Sequence, residues 1–358
     1  MKKRWKILGG LALAGLLAAA APVVWIETQC TAPPQSMAPR GFKGQLTGPD
    51  TRAEAATWLT YPEWHIVYSA ESYARHLTAG KRPSSYRFGR DIAAFWSSYC
   101  QLNRVAEQAG GSSHYKTVIY TIGISFSAEM LVKAAWENTV GRLFEAASGW
   151  TSADDRHAAR VQTDYANFMH ETPWYRFPFG AALSQEWQTS EPRLTGRHWE
   201  RRVALSLEYG VKAGYAKLIG WATGTALGAD EVRLRMLLRP NSADLAATDP
   251  ELRVIADQGG TLKVDAPRYA RLTSILERLA GTDAQLVEIA GNDDILVTFR
   301  APEALAGKLG GGPVLIDMAL GDRPGWRRVG VSTKVAQLLP LLRSARASGA
   351  ELEHVYDY

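Results

Sequence analysis

Four residues carry the side chains from which a catalytic site would be assembled: Glu63, His65, Glu129 and His170. Glu63 and His65 belong to Leu59-Thr60-Tyr61-Pro62-Glu63-Trp64-His65, the densest chemical run in the chain. A carboxylate beside an imidazole suits acid–base work near neutral pH, because histidine titrates there. The same run also reads as a helix start. Thr60 and Glu63 hold the spacing of a capping box, in which each side chain serves the other's exposed backbone N–H. Leu59 and Trp64 stand at hydrophobic-staple positions, and Pro62 falls in the first turn, where its missing N–H is harmless. That account leaves only Tyr61 and His65 without a structural job. Glu129 stands alone in an apolar stretch, as a buried acid or as half of a helix–helix ion pair. His170 precedes Glu171 at a predicted helix end, where a cation meets the dipole favourably. His198 and Glu200, set among Arg197, Arg201 and Arg202, read as a solvated or headgroup-facing cluster.

Motifs that name a reaction are missing. The seven histidines form no H-x-x-x-H or H-E-x-x-H pair, and the single Glu-x-x-His, Glu351 with His354, falls at a predicted strand, so helical zinc and di-iron sites are not predicted. There is no P-loop, no dinucleotide fingerprint and no nucleophile elbow, and Gly310-Gly311-Gly312 precedes a strand instead of a helix N-terminus. No cofactor or metal is therefore expected. The two cysteines, Cys30 and Cys100, are too few for a disulfide framework or a zinc cluster; one bridge between them is open to an oxidising compartment. A net charge of +5 without a basic run interleaved with aromatics argues against nucleic acid and is compatible with an anionic membrane surface.

The elements that would position these groups divide the chain. Residues 1–30 hold a basic flank (Lys2, Lys3, Arg4, Lys6) and an uncharged apolar run from Ile7 to Ile26. About 20 such residues cover a bilayer core, and the flank keeps the N-terminus in the cytoplasm. The expectation is a single-pass anchor in a bacterial-type inner membrane, with the bulk of the chain outside. The rivals are a signal peptide cleaved near Ala18–Ala21, giving a secreted or periplasmic protein, and a three-span topology. Residues 31–50 read as a tether. Residues 51–237 are helical, with helices near 61, 88–108, 114–147, 152–170 and 197–227. Helices 114–147 and 197–227 have nearly spanning length, but Glu129, Lys133, Lys212 and Lys217 would each cost about 3 kcal/mol in lipid.

Two features of the helical region suggest contact surfaces. Trp174, Tyr175, Phe177 and Phe179 lie between prolines, an aromatic interface that demands burial in protein or headgroups. Gly210, Gly214, Gly220, Gly224 and Gly228 form a ridge that predicts a close-packed helical neighbour. After a linker at 238–250, residues 251–358 alternate in type. Strands are predicted at Leu252–Ala256, Thr261–Val264, Gln285–Ile289, Ile295–Phe299, Val314–Leu320 and Leu352–Tyr358, with a hairpin turn at Gly291–Asp294 and a helix capped by Ser332. The fold class is α+β: membrane anchor helix, central all-α domain, and C-terminal ferredoxin-like α/β sandwich.

The functional expectation is a membrane-anchored extracytoplasmic protein, non-enzymatic, that binds a protein or lipid partner. The alternative is an enzyme or metal-binding protein with a Glu/His site in the helical domain. A third reading is a ligand sensor that uses the C-terminal domain.

Overall fold

Thr60 does not begin a helix; it joins two. In the computed structural model, which describes residues 20–32, 42–111, 113–149, 152–188, 195–223, 232–239 and 249–358, helix α1 covers 20–29, α2 Ala56–Leu59 and α3 Tyr61–Thr78. Thr60 between the last two is itself helical (φ −79°, ψ −19°) and its N–H already bonds Ala56 O at 2.9 Å. No N–H is left for Glu63 to serve, so the predicted capping box does not form. A capping box does close at Ser152–Asp155, where the chain enters from an extended conformation and the donors are free.

The helical region continues with α4 (Phe88–Gln108), α5 (Ser113–Trp136), α6 (Arg142–Ser148), α7 (Ala153–Phe168), α8 (Phe179–Gln188) and α9 (Gly196–Thr223). A π-turn at Glu137–Gly141 links α5 to α6. Gly141 permits it: a Cβ there would meet the Glu137 carboxylate at 2.6 Å. The glycine at a close helix contact is Gly123 on α5, where a Cβ would lie 2.5 Å from the Phe95 ring of α4. The predicted ridge behaves differently. Gly210 and Gly214 have no atom within 4 Å of a built Cβ, Gly220 lies near the end of α9, and Gly224 and Gly228 fall outside the described residues. The expected close neighbour at Gly210 and Gly214 is replaced by open space.

The anchor expected at 7–26 lies mostly outside the described residues, but its end is fixed. Cys30 is disulfide-bonded to Cys100 of α4, and Ile26 is buried. Glu27 reaches Lys116 at 3.5 Å and Tyr120 at 2.5 Å, both on α5. Further on, Glu288 accepts the N–H groups of Gln45 (2.8 Å) and Leu46 (2.5 Å). The predicted tether is thus held at both ends.

The C-terminal part is built from two four-stranded antiparallel sheets. Strands β1 (Arg233–Arg239), β2 (Arg253–Asp257), β3 (Leu262–Pro267) and β4 (Gln285–Ile289) form the first, with α10 (Tyr269–Leu279) between β3 and β4. Strands β5 (Asp294–Pro302), β6 (Val314–Ala319), β7 (Trp326–Lys334) and β8 (Glu351–Tyr356) form the second, with α11 (Glu303–Ala306) after β5 and α12 (Val335–Ala347) before β8. The strands predicted for one sandwich are therefore shared between two sheets. Strand β1 begins inside the stretch read as helical, and Ser332 sits in β7 instead of capping α12. The Gly291–Asp294 turn does not close a hairpin, because β4 and β5 belong to different sheets.

The two sheets repeat one topology. Their orders, β2-β3-β1-β4 and β6-β7-β5-β8, are the same when each β1–β4 strand is matched to its β5–β8 counterpart. The register repeats too: Met236 faces Val264 and Ile289 as Val297 faces Val331 and Val355. Bulges follow at matching places, between Leu237 and Leu238 and between Thr298 and Phe299, and again on β2 and β6. The helices are exchanged, α12 packing on β4 and α10 on β8, so one core serves both units.

Sheet β5–β8 seats the α2–α3 joint. Thr57 donates to Tyr356 O (2.6 Å) and accepts from Leu296 N (2.9 Å), and Trp58 Nε1 donates to Ser332 Oγ at 3.2 Å. Trp64 stacks on His354 with ring centroids 3.6 Å apart. The Tyr68 and Tyr356 hydroxyls meet at 2.7 Å. What looked like an active-site run is largely the joint between helices and sheets.

Candidate functional site

Helices α3, α5, α7 and α9 enclose a cavity of about 1920 Å³. The enclosure follows from pairing. α3 packs on α5 and α7, and α7 packs on α9. α5 and α9 run antiparallel, joined mainly by polar side chains: Trp136 Nε1 donates to Glu200 at 2.5 Å, and Arg201 to Glu137 at 2.8 Å. Aromatic and aliphatic groups dominate the walls, among them Tyr73, Ile122, Tyr165 and Leu205.

Across the gap between α5 and α9 lies a closed quartet of charges. Lys133 Nζ is 3.0 Å from Glu129 and 2.8 Å from Glu208; Lys212 Nζ is 2.8 Å from Glu129 and 3.3 Å from Glu208. Both ammonium groups also face rings, Lys133 over Tyr73 at 5.4 Å and Lys212 over Tyr165 at 4.7 Å. The net charge is zero, which lowers the cost of holding four ions in an apolar wall.

Three of the four sequence candidates line this cavity and one does not. Glu63, Glu129 and His170 are in its walls. Glu129 is committed to the two lysines. His170 Nε2 lies 2.5 Å from Glu71, and its ring meets the edge of Trp64 at 5.7 Å. Glu63 opens onto the cavity and has no hydrogen-bond or ion-pair partner among the described residues. Its side chain is accessible from the cavity, and the surrounding protein, by desolvating it, raises its pKa to about 7, against the pull of Arg268 and with a push from Asp357. His65 points elsewhere. It is buried, its Nε2 meets Asp91 O at 3.1 Å, its Nδ1 has no partner, and burial lowers its pKa to about 4. At neutral pH its neutral ring donates from Nε2, so the Glu63–His65 pairing does not exist in space.

The aromatic interface divides in two. Trp174 and Tyr175 border the cavity, Trp174 stacked on Tyr215 at 5.5 Å, while Phe177 and Phe179 pack inward on Tyr165, each at 5.2 Å. The arginine cluster around His198 and Glu200 is the reverse of a solvated patch. Arg197, His198, Glu200 and Arg201 are all buried. Arg197 bridges Asp155 (2.7 Å) and Glu200 (2.8 Å), and His198 Nδ1 bonds Asp154 at 2.7 Å. Glu200 of the same helix absorbs part of this charge, and the other acids come from α7 and the π-turn, too far along the chain for sequence spacing to pair them.

Three carboxylates, Glu54, Asp293 and Asp294, stand close enough to share a cation, but they lie outside the cavity walls and Lys334 already bridges Asp293 (2.9 Å) and Asp294 (2.8 Å). The cavity is instead a large, mostly apolar chamber with a balanced ionic seam, and Glu63 is one of several acids in its walls. Among the described residues one helical stretch, Tyr115–Ser148, is long and apolar enough to cross a membrane. No protein-family model, curated protein or solved structure matches the chain.

Proposed function

We propose that this chain is a membrane-anchored extracytoplasmic protein that binds an amphipathic, lipid-like ligand between α3, α5, α7 and α9, without catalysing a reaction. The cavity carries this reading. Its volume of about 1920 Å³ exceeds the roughly 300–1,000 Å³ usual for small-molecule pockets, and long acyl chains are ligands of that size. Its walls are mostly apolar, and their polar groups include the Glu129–Lys133–Glu208–Lys212 seam and Glu63 beside others such as Arg156, Arg160 and Asp164. The Cys30–Cys100 disulfide supports an oxidising compartment, and the basic flank with the apolar run at 7–26 supports the anchor and its orientation.

The enzyme reading retains only Glu63, since His65 faces away and Glu129 and His170 are engaged by other partners. Extraction of lipid from the full chain, purified from membranes in mild detergent, tests the proposal. Mass spectrometry is expected to find a defined lipid that is lost in Thr121→Trp, a substitution into the cavity wall, at an unchanged melting temperature. Equal lipid in both proteins would refute it.

A further inference from the structure

The outward faces of α5 and α9 are uncharged over a bilayer-sized length, and among the described residues nothing covers them. From Thr117 on α5 to Thr139 in the π-turn that follows it every exposed position is uncharged, a distance of about 33 Å at 1.5 Å per residue. On α9 the exposed positions from Trp199 to Tyr215 are Trp, Val, Leu, Gly, Val, Gly and Tyr. Leu131 is 56% exposed and Val211 69%. None of the charged residues of these stretches is exposed: Glu129, Lys133, Glu208 and Lys212 neutralise one another in the quartet, Arg201 pairs with Glu137 and Glu200, and Arg202 lies 3.9 Å from Asp154. An exposed helix face of a water-bathed protein is ordinarily its polar face, and apolar patches of this extent mark a contact surface.

The geometry points to a lipid bilayer as the occupant: the α5–α9 face lies on the membrane, in the headgroup plane, and the cavity opens to lipid between the two helices. Three observations select this occupant. First, the chain leaves α1 at this place. The apolar run of 7–26 ends at Ile26, and Cys30 is pinned to α4 while Glu27 bonds Lys116 and Tyr120. The start of α5 is therefore held where the anchor emerges. Second, exposed Arg142 and Lys217 bound the uncharged stretches, as anionic headgroups favour. Third, Val118, Val132, Leu207, Val211 and Tyr215 belong both to the exposed face and to the cavity wall.

The face lies on the bilayer instead of crossing it. The neighbouring helices expose Arg104 on α4 and Arg156 and Arg160 on α7, and each would cost about 3 kcal/mol at the bilayer centre. An amphipathic pair in the interface keeps those arginines in water. The inference rests on the anchored reading for its orientation but not on ligand occupancy of the cavity, which lipid extraction reads separately.

The test uses the full chain, with the native disulfide intact, in vesicles of phosphatidylethanolamine and phosphatidylglycerol. An environment-sensitive dye is attached to Leu131→Cys, Val203→Cys or, on the distant sheet unit, Lys308→Cys. All three positions face outward, so folding is retained, as a melting curve verifies. Dyes at 131 and 203 are expected to be several-fold less quenched by iodide than the dye at 308. They should be quenched by a nitroxide near the lipid headgroup more than by one at the acyl terminus. Three results would overturn the inference. One is equal iodide quenching at all positions. Another is stronger quenching of the 131 dye by the deep nitroxide, the mark of a span. The last is iodide protection without nitroxide quenching, the mark of a second copy or a protein partner.

Discussion

Replacing Glu186 with glutamine should remove a pH dependence of stability that the fold builds into the junction of α7, α8 and α9. Glu186 is fully buried on α8, and burial together with the facing Asp154 carboxyl raises its pKa to about 8. Asp154 is also fully buried and accepts from His198 Nδ1 at 2.7 Å. Protonated Glu186 then donates to Asp154, with Arg201 and Arg202 opposing the shift and His157 3.6 Å away. In the unfolded chain the same carboxyl titrates near its ordinary 4.5. Between pH 4.5 and 8 the folded state thus binds the extra proton and the unfolded state does not, so stability falls as pH rises through this window and levels off above 8. The shift from 4.5 to about 8 corresponds to at most about 5 kcal/mol. Glu186→Gln keeps a donor toward Asp154 and cannot ionise. The assay is urea unfolding of both proteins from pH 5 to pH 9, read as the difference between them, which cancels the opposite contributions of buried His65 and His354. The variant should be near-neutral at pH 5 and more stable by several kcal/mol at pH 9. A difference that is constant across the range would refute the shared proton, and so the packing of α8 against α7.

The charge quartet predicts a non-additive pair: Lys212→Met alone should cost about 3–5 kcal/mol, because Glu129 and Glu208 are left with one lysine, while adding Glu129→Gln should restore most of it in thermal melts. The glycines predict opposite signs. Gly123→Ala should destabilise by about 1–3 kcal/mol through the Phe95 ring 2.5 Å away, whereas Gly210→Ala, facing open space, should stabilise by up to about 1 kcal/mol. Cys30→Ser with Cys100→Ser should lower stability by about 2–4 kcal/mol, measured in urea against the same protein with the bridge intact.

Elements set by local pattern were legible in the sequence, and those set by distant partners were not. The stripe Ile92, Phe95, Trp96, Tyr99 and Leu102 marks α4, and Ser152 with Asp155 marks the start of α7, because each signal is complete within a few residues. Strand β1 was hidden. Its Leu234, Met236 and Leu238 alternate as a strand should, yet Leu234, Leu237 and Leu238 also fit a helix stripe, and only pairing with β3 and β4 decides between the periods. Strand β7 was missed because Ser332 has the chemistry of a cap, and its role as acceptor for Trp58 lies 274 residues away in sequence. The sheet repeat is invisible for a similar reason: matched positions keep burial and register but not identity, as in Glu288 and His354, both buried, one bonding Gln45 and Leu46, the other Thr273.

The charges that count against a bilayer span in the sequence are compatible, in the fold, with the proposed membrane contact. Read along the chain, Glu129, Lys133, Lys212 and Lys217 count as separate penalties against placing these helices in lipid, and Lys217 stays exposed at the end of the uncharged stretch. In the fold Glu208 joins the first three, the four cancel, and each acid contacts both Lys133 and Lys212. The surface left facing outward is then less polar than the sequence of either helix. The same quartet spans the opening between α5 and α9, so the group that makes the face compatible with lipid is also the polar feature a ligand entering from that side meets first. On the proposed reading an amphipathic molecule meets both demands, its chains against Tyr165 and Ile122 and its headgroup at the ionic seam. Glu63, unpaired in the same wall, is then the acid placed to select a headgroup that carries a donor.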